Sequence, residues 1–121
     1  MSTATLAFPA SPTTFTLNSA ATTNATAVKT SAGVVYSMML SNSGAAVAFV
    51  KLYNKASAPT VGTDIPVMTV AVPATGSYSP DFSAVGYTFT TGIALAITNL
   101  STDADATAVT AGQVKVALTF N

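Results

Sequence analysis

Gln113-Val114-Lys115-Val116-Ala117-Leu118-Thr119-Phe120 alternates without interruption. Side chains of a strand point to opposite faces in turn, so Val114, Val116, Leu118 and Phe120 share one side, with Lys115, Ala117 and Thr119 on the other. A helix would scatter the four large apolar groups around its circumference. The stretch therefore reads as a half-buried strand, and the same period recurs upstream while a helical period does not.

Residues 13–17 read as a strand with Phe15 and Leu17 inward, and residues 25–30 as another. After Gly33, the residues Val34, Tyr36, Met38 and Leu40 share one face of a strand. Ser41-Asn42-Ser43-Gly44 follows as a turn cluster, which predicts a hairpin with a strand over 46–53. In that strand Ala48, Val50 and Leu52 alternate with Val47, Phe49, Lys51 and Tyr53, so both faces are largely apolar and the strand is central. Residues 54–66, with Pro59, Gly62 and Pro66, form a long loop before a strand over 67–72. Residues 73–83 are a second Pro/Gly/Ser-rich connection. Tyr87 and Phe89 then alternate with Thr88 and Thr90 up to a Thr91-Gly92 turn, and Ile93, Leu95 and Ile97 alternate with Ala94, Ala96 and Thr98. Residues 102–112 are a loop. The pattern predicts one all-β domain over 13–121, an antiparallel β-sandwich of about eight strands, jelly-roll-like or immunoglobulin-like, behind an extended N-terminal arm over 1–12.

Composition narrows the chemistry. The chain of 121 residues lacks Cys, His, Glu, Arg and Trp, which removes thiolates, imidazoles and the commonest transition-metal ligands. Charged residues make up 7% against about 25% in an average soluble domain, and the formal net charge is zero. Lys29, Lys51, Lys55 and Lys115 form no basic stripe, so no nucleic-acid partner is expected. No apolar run approaches the ~20 residues of a membrane-spanning helix, and residues 1–10 have no positive region ahead of an apolar one. The expectation is a protein made in the cytoplasm without a signal peptide and with no membrane partner. A surface this neutral has little to keep copies apart, which predicts a homo-oligomer, a dimer or trimer.

The carboxylates are Asp64, Asp81, Asp103 and Asp105. Asp103 and Asp105 lie two apart, as a calcium loop would begin, yet Ala108 stands where an EF-hand needs glycine. They read instead as Asx-type turn residues, and Asp64 before Ile65-Pro66 reads as a loop-fixing residue bonded to its own backbone. Tyr36, Tyr53, Tyr78 and Tyr87 could stack on sugars, but tyrosine is equally a strand residue suited to a core edge or a subunit interface, and that reading is preferred. No phosphate-cradling glycine motif is present. The expectation is a chain with no enzymatic activity, no cofactor and no metal.

Two stretches carry a resemblance: Val50-Lys51-Leu52-Tyr53-Asn54-Lys55-Ala56-Ser57-Ala58-Pro59-Thr60-Val61-Gly62-Thr63-Asp64-Ile65-Pro66-Val67, and Gly86-Tyr87-Thr88-Phe89-Thr90-Thr91-Gly92-Ile93-Ala94-Leu95-Ala96-Ile97-Thr98. They resemble a group of small virion proteins of tailed phages and prophages, in which a strand ending in "KLYN" leads into an "APTVGTD-P" loop. The resemblance covers about the second two thirds of the chain. It implies a virion structural role on the head, as a capsid decoration or cement protein, with no catalytic residues to carry over. Its partner would be the major capsid protein of the same particle. The residues expected to contact partners are Leu6, Phe8 and Pro9 in the arm, together with Tyr53 and Tyr78. The alternative is a tail or fibre-tip adhesion module that binds a host-surface glycan.

Overall fold

The computed structural model describes residues 11–121, and among them there is no helix. The strands are β1 (Thr13–Asn18), β2 (Thr26–Lys29), β3 (Gly33–Asn42), β4 (Ala48–Tyr53), β5 (Met68–Val72), β6 (Gly76–Tyr78), β7 (Tyr87–Phe89), β8 (Ile93–Thr98) and β9 (Val114–Phe120). Valine, isoleucine, threonine and aromatic residues dominate them, side chains that fit a pleated, half-buried surface. The expected arm over 1–12 lies outside the described residues except for Ser11 and Pro12, which are exposed and lead directly into β1.

Two antiparallel sheets pack face to face. Sheet A has the order β1-β9-β3-β6, with β7 also on β3, and sheet B has the order β2-β8-β4-β5. β6 and β7 occupy the same edge of β3 at opposite ends, Leu40 opposite Tyr78 and Val35 opposite Tyr87. A bridge from Ser37 to Asp81 lies between them. They are thus one broken strand running the length of β3, and between its halves Gly86, at φ 76°, presses against Val34 and Val35 where a Cβ would collide.

Counted this way, the pairs nest: β4 with β5, then β3 with β6 and β7, then β2 with β8, then β1 with β9. A chain folded into one long antiparallel hairpin and wrapped so that successive pairs alternate between sheets is a jelly roll. The immunoglobulin order is excluded, since it pairs its first two strands in one sheet, and here β1 and β2 lie in different sheets.

The core lies between the sheets. Val35, Met38, Leu40, Val114, Val116 and Leu118 of sheet A meet Val50, Leu52, Ile93, Leu95 and Ile97 of sheet B, all buried. β4 is central, between β8 and β5, as its two apolar faces require.

Two expectations are corrected. Ser41-Asn42-Ser43-Gly44 does not close a hairpin, because β3 and β4 lie in different sheets and the segment turns the corner between them. The buried Asn42 amide pins that corner, donating to the carbonyls of Ala46 (2.9 Å) and Val72 (3.2 Å), while its Oδ1 accepts from Gly44 N–H (2.8 Å). Thr91-Gly92 crosses between sheets likewise. Second, Val34 and Tyr36 do not share the inward face with Met38 and Leu40. The pairing of β3 with β9 slips between Val35 and Ser37, and this bulge shifts the alternation so that Val35 points inward.

Candidate functional site

The outer faces of the two sheets differ in what covers them. On sheet B the outward residues of β4 and β8 are Phe49, Lys51, Tyr53, Ala94, Ala96 and Thr98, and all but the half-buried Phe49 are buried. Residues 54–67 and 99–113 connect the strands on this side and fold over the face, with Val61 packed on Tyr53, Ala94 and Ala96. The Lys51 ammonium, fully buried, donates to the carbonyls of Thr102 (2.7 Å) and Asp105 (3.2 Å) and ties the second loop down. Burial pulls that ammonium below the usual lysine range, against the pull of Asp105 and Asp103 in the other direction.

The loop carboxylates serve the loops. Asp105 Oδ2 accepts from Leu100 N–H (3.1 Å), Thr107 N–H (3.3 Å) and the Thr107 hydroxyl (2.7 Å). Burial works to raise this carboxyl, but the bonds from Thr107 and Leu100 and the charge of Lys51 outweigh it and hold the group below the ordinary carboxylate range. Asp64 Oδ2 accepts from the Lys55 ammonium (2.5 Å) and Thr60 N–H (2.7 Å), and these two bonds likewise hold its carboxyl low. Asp81 accepts from Ser83 N–H (2.8 Å). Asp105 thus makes the expected Asx-type bond to Thr107 two residues on, and Asp64 fixes its loop through Thr60 and Lys55. Among the described residues, no group of three or more His, Cys, Asp or Glu side chains is placed to hold a metal ion.

Among the described residues, nothing covers the outer side of sheet A as the loops cover sheet B. Ala117 of β9 sits between Thr16 of β1 and Met39 of β3, and in the next row Lys115 sits between Asn18 and Ser41, with Ser77 beyond. The small Ala117 makes the floor of a shallow depression of about 490 Å³ walled by longer neighbours. Met39 is two thirds exposed there, and Lys115 is the single charge. Hydroxyls, an amide and one ammonium can hydrogen-bond to a docked surface. They provide no nucleophile paired with a base, and no aromatic ring lines the depression.

Of the expected contact residues, Leu6, Phe8 and Pro9 lie outside the described residues. Tyr53 is 1% exposed beneath the loop over sheet B, its hydroxyl without a hydrogen-bond partner among the described residues, so it offers no surface to a partner. Burial, with Asp64 and Asp103 nearby, pushes that phenol above the usual tyrosine range. Tyr78 is half exposed at the margin of the sandwich. The structure does not bring these two tyrosines together. The sheet A depression was not anticipated, although its signal was present in Lys115, Ala117 and Thr119, the small and polar partners of the apolar stripe that reveals β9. No protein-family model matches the chain, and searches of curated proteins and of solved structures find no match either.

Proposed function

We propose that this chain is a non-catalytic virion structural protein of the tailed-phage kind, a decoration or cement protein that docks on the major capsid protein and stabilises the head shell. The observation that carries this reading is the disposition of its polar chemistry. Lys51, Lys55, Asp64, Asp81 and Asp105 are spent on holding the protein's own loops, and of the remaining Lys29, Asp103 and Lys115 only Lys115 lines the small-residue, hydroxyl-rich face of sheet A. Such a face suits broad docking against a protein surface, where many weak contacts resist outward pressure without chemistry. The resemblance of residues 50–67 and 86–98 to small phage virion proteins points the same way. A glycan-binding tail module has less support, since the depression lacks the aromatic faces on which sugars stack.

Copy number tests the proposal. Quantitative mass spectrometry of purified particles that encode the chain is expected to find it in the hundreds per particle, a shell stoichiometry. A handful of copies would move it to the tail, and absence from the particle would overturn the structural role.

A further inference from the structure

Among the described residues the sandwich has a second open feature, at the margin opposite β1. β5 is the edge strand of sheet B, and the broken strand of β6 and β7 is the edge of sheet A on the same side. Between them runs a groove of about 550 Å³, bounded along the β5 edge by residues 68–71 and elsewhere by Pro73, Tyr78, Pro80 and Phe82. It is apolar, and it lies beside a strand that pairs with β4 alone among the described residues. An edge with free backbone groups next to an apolar slot is what an added strand requires, the backbone supplying hydrogen bonds and alternate side chains entering the slot.

The chain carries a segment of that form outside the described residues. In Thr3-Ala4-Thr5-Leu6-Ala7-Phe8 the apolar Ala4, Leu6 and Phe8 alternate with Thr3, Thr5 and Ala7, and Pro9 then ends the pattern. Where this segment joins the sandwich decides whose groove it can reach. It enters through Thr13 at β1, the far edge of sheet A. Phe8 lies five residues before Thr13, at most about 18 Å away along a fully extended chain. Crossing three strand spacings takes about 14 Å, and the chain must then turn the edge to enter a slot between sheets about 10 Å apart. Phe8 therefore falls short of the groove of its own copy.

We propose that residues 4–8 of a second copy of this chain fill the groove, adding a strand to β5 with Leu6 and Phe8 inserted among Val70, Tyr78 and Phe82. The donated segment leaves one margin of the molecule and the acceptor groove lies on the other. Exchange between copies then closes as a reciprocal dimer or a ring.

The absence of cysteine from the chain makes the test direct. With Leu6 and Phe8 in the slot, Ala7 faces the same side as the exposed Thr69 and Ala71 of β5. Chains carrying Ala7→Cys are mixed with chains carrying Thr69→Cys or Ala71→Cys and oxidised. The expected product is a disulfide-linked pair containing one chain of each kind. In parallel, Leu6→Asp with Phe8→Asp is expected to convert the oligomer to monomer in sedimentation without loss of the folded β-sandwich spectrum. A cross-link formed only within single chains bearing both cysteines would overturn the proposal in favour of self-covering. No cross-link, or an oligomer indifferent to the two aspartates, would show that the groove is not the acceptor, and a monomeric unmodified chain at tens of micromolar would overturn the exchange altogether.

Discussion

Lys51 and Lys115 occupy equivalent places, each an outward residue on a central strand of its sheet, and their fates are opposite. Lys51 is completely buried under residues 54–67 and 99–113, and Lys115 stands in solvent beside a shallow depression. The strands alone do not account for this, since each outer face mixes small and hydroxyl-bearing residues with a lysine and larger side chains, Phe49 and Tyr53 on sheet B and Met39 on sheet A. The connections do. Both long loops leave from sheet B strands and fold back over sheet B, while the connections at 30–32, 43–47, 73–75 and 90–92 are too short to cover sheet A. In this jelly roll, loop length decides which face is sealed as a second core and which is available.

Removing each lysine in turn tests that contrast most severely. Lys51→Ala deletes a buried stem and leaves the carbonyls of Thr102 and Asp105 without their donor, and it is expected to cost about 3 kcal/mol in denaturant unfolding. Lys115→Ala, by contrast, should stay within about 0.5 kcal/mol of the parent chain. Equal effects would mean that the sheet B loops are not anchored through Lys51.

A smaller effect is expected from acid. Because the Asp105 carboxyl lies below its ordinary value of 3.8 in the folded protein, its contribution to stability is fully present above that pH and is lost as pH falls through the lower folded value. Asp105→Asn should therefore weaken the protein at neutral pH, and its deficit should shrink below about pH 4 as the parent carboxylate takes up its proton. A deficit that stayed constant into acid would show that the ionised form is not what holds residues 100–107.

The smallest effect belongs to the open face. Met39→Ser is expected to change unfolding by no more than about 0.5 kcal/mol, since the side chain touches little in the isolated molecule. The same change should lower occupancy on purified shells if that face docks. Full occupancy would transfer the docking role elsewhere on the surface.

What could be read in advance follows from the range of the interactions involved. β9 and β8 were legible because alternation is local and strong, and the central place of β4 followed from its two apolar faces. β6 was not, being three residues inside a Pro/Gly/Ser-rich connection whose strand character comes from lying against β3. The bulge at Tyr36 leaves no mark on the period, because it is a matter of how β3 meets β9. The corner at Ser41-Asn42-Ser43-Gly44 has the residues of a hairpin turn, and only the bond from Asn42 to Val72, thirty residues on, makes it a crossing between sheets. The burial of Lys51 and Tyr53 was hidden for the same reason, since the loops that cover them are remote in sequence. The outward residues of β9 were readable, but their neighbours on β1, β3 and β6 required the sheet order.

The place of β9 between β1 and β3 also governs when the molecule can become itself. During synthesis the ribosome releases β1 through β8 before the strand that joins two of them. Until residues 114–120 emerge, β1 has no partner and the long edge of β3 stands bare, while the β4 and β5 hairpin is free to form early. A nascent chain interrupted before that point would expose the unpaired β1 and one bare edge of β3, a species prone to aggregate. Sheet A is therefore completed only after residues 114–120 have been released, and the supply of competent protein depends on synthesis passing that point.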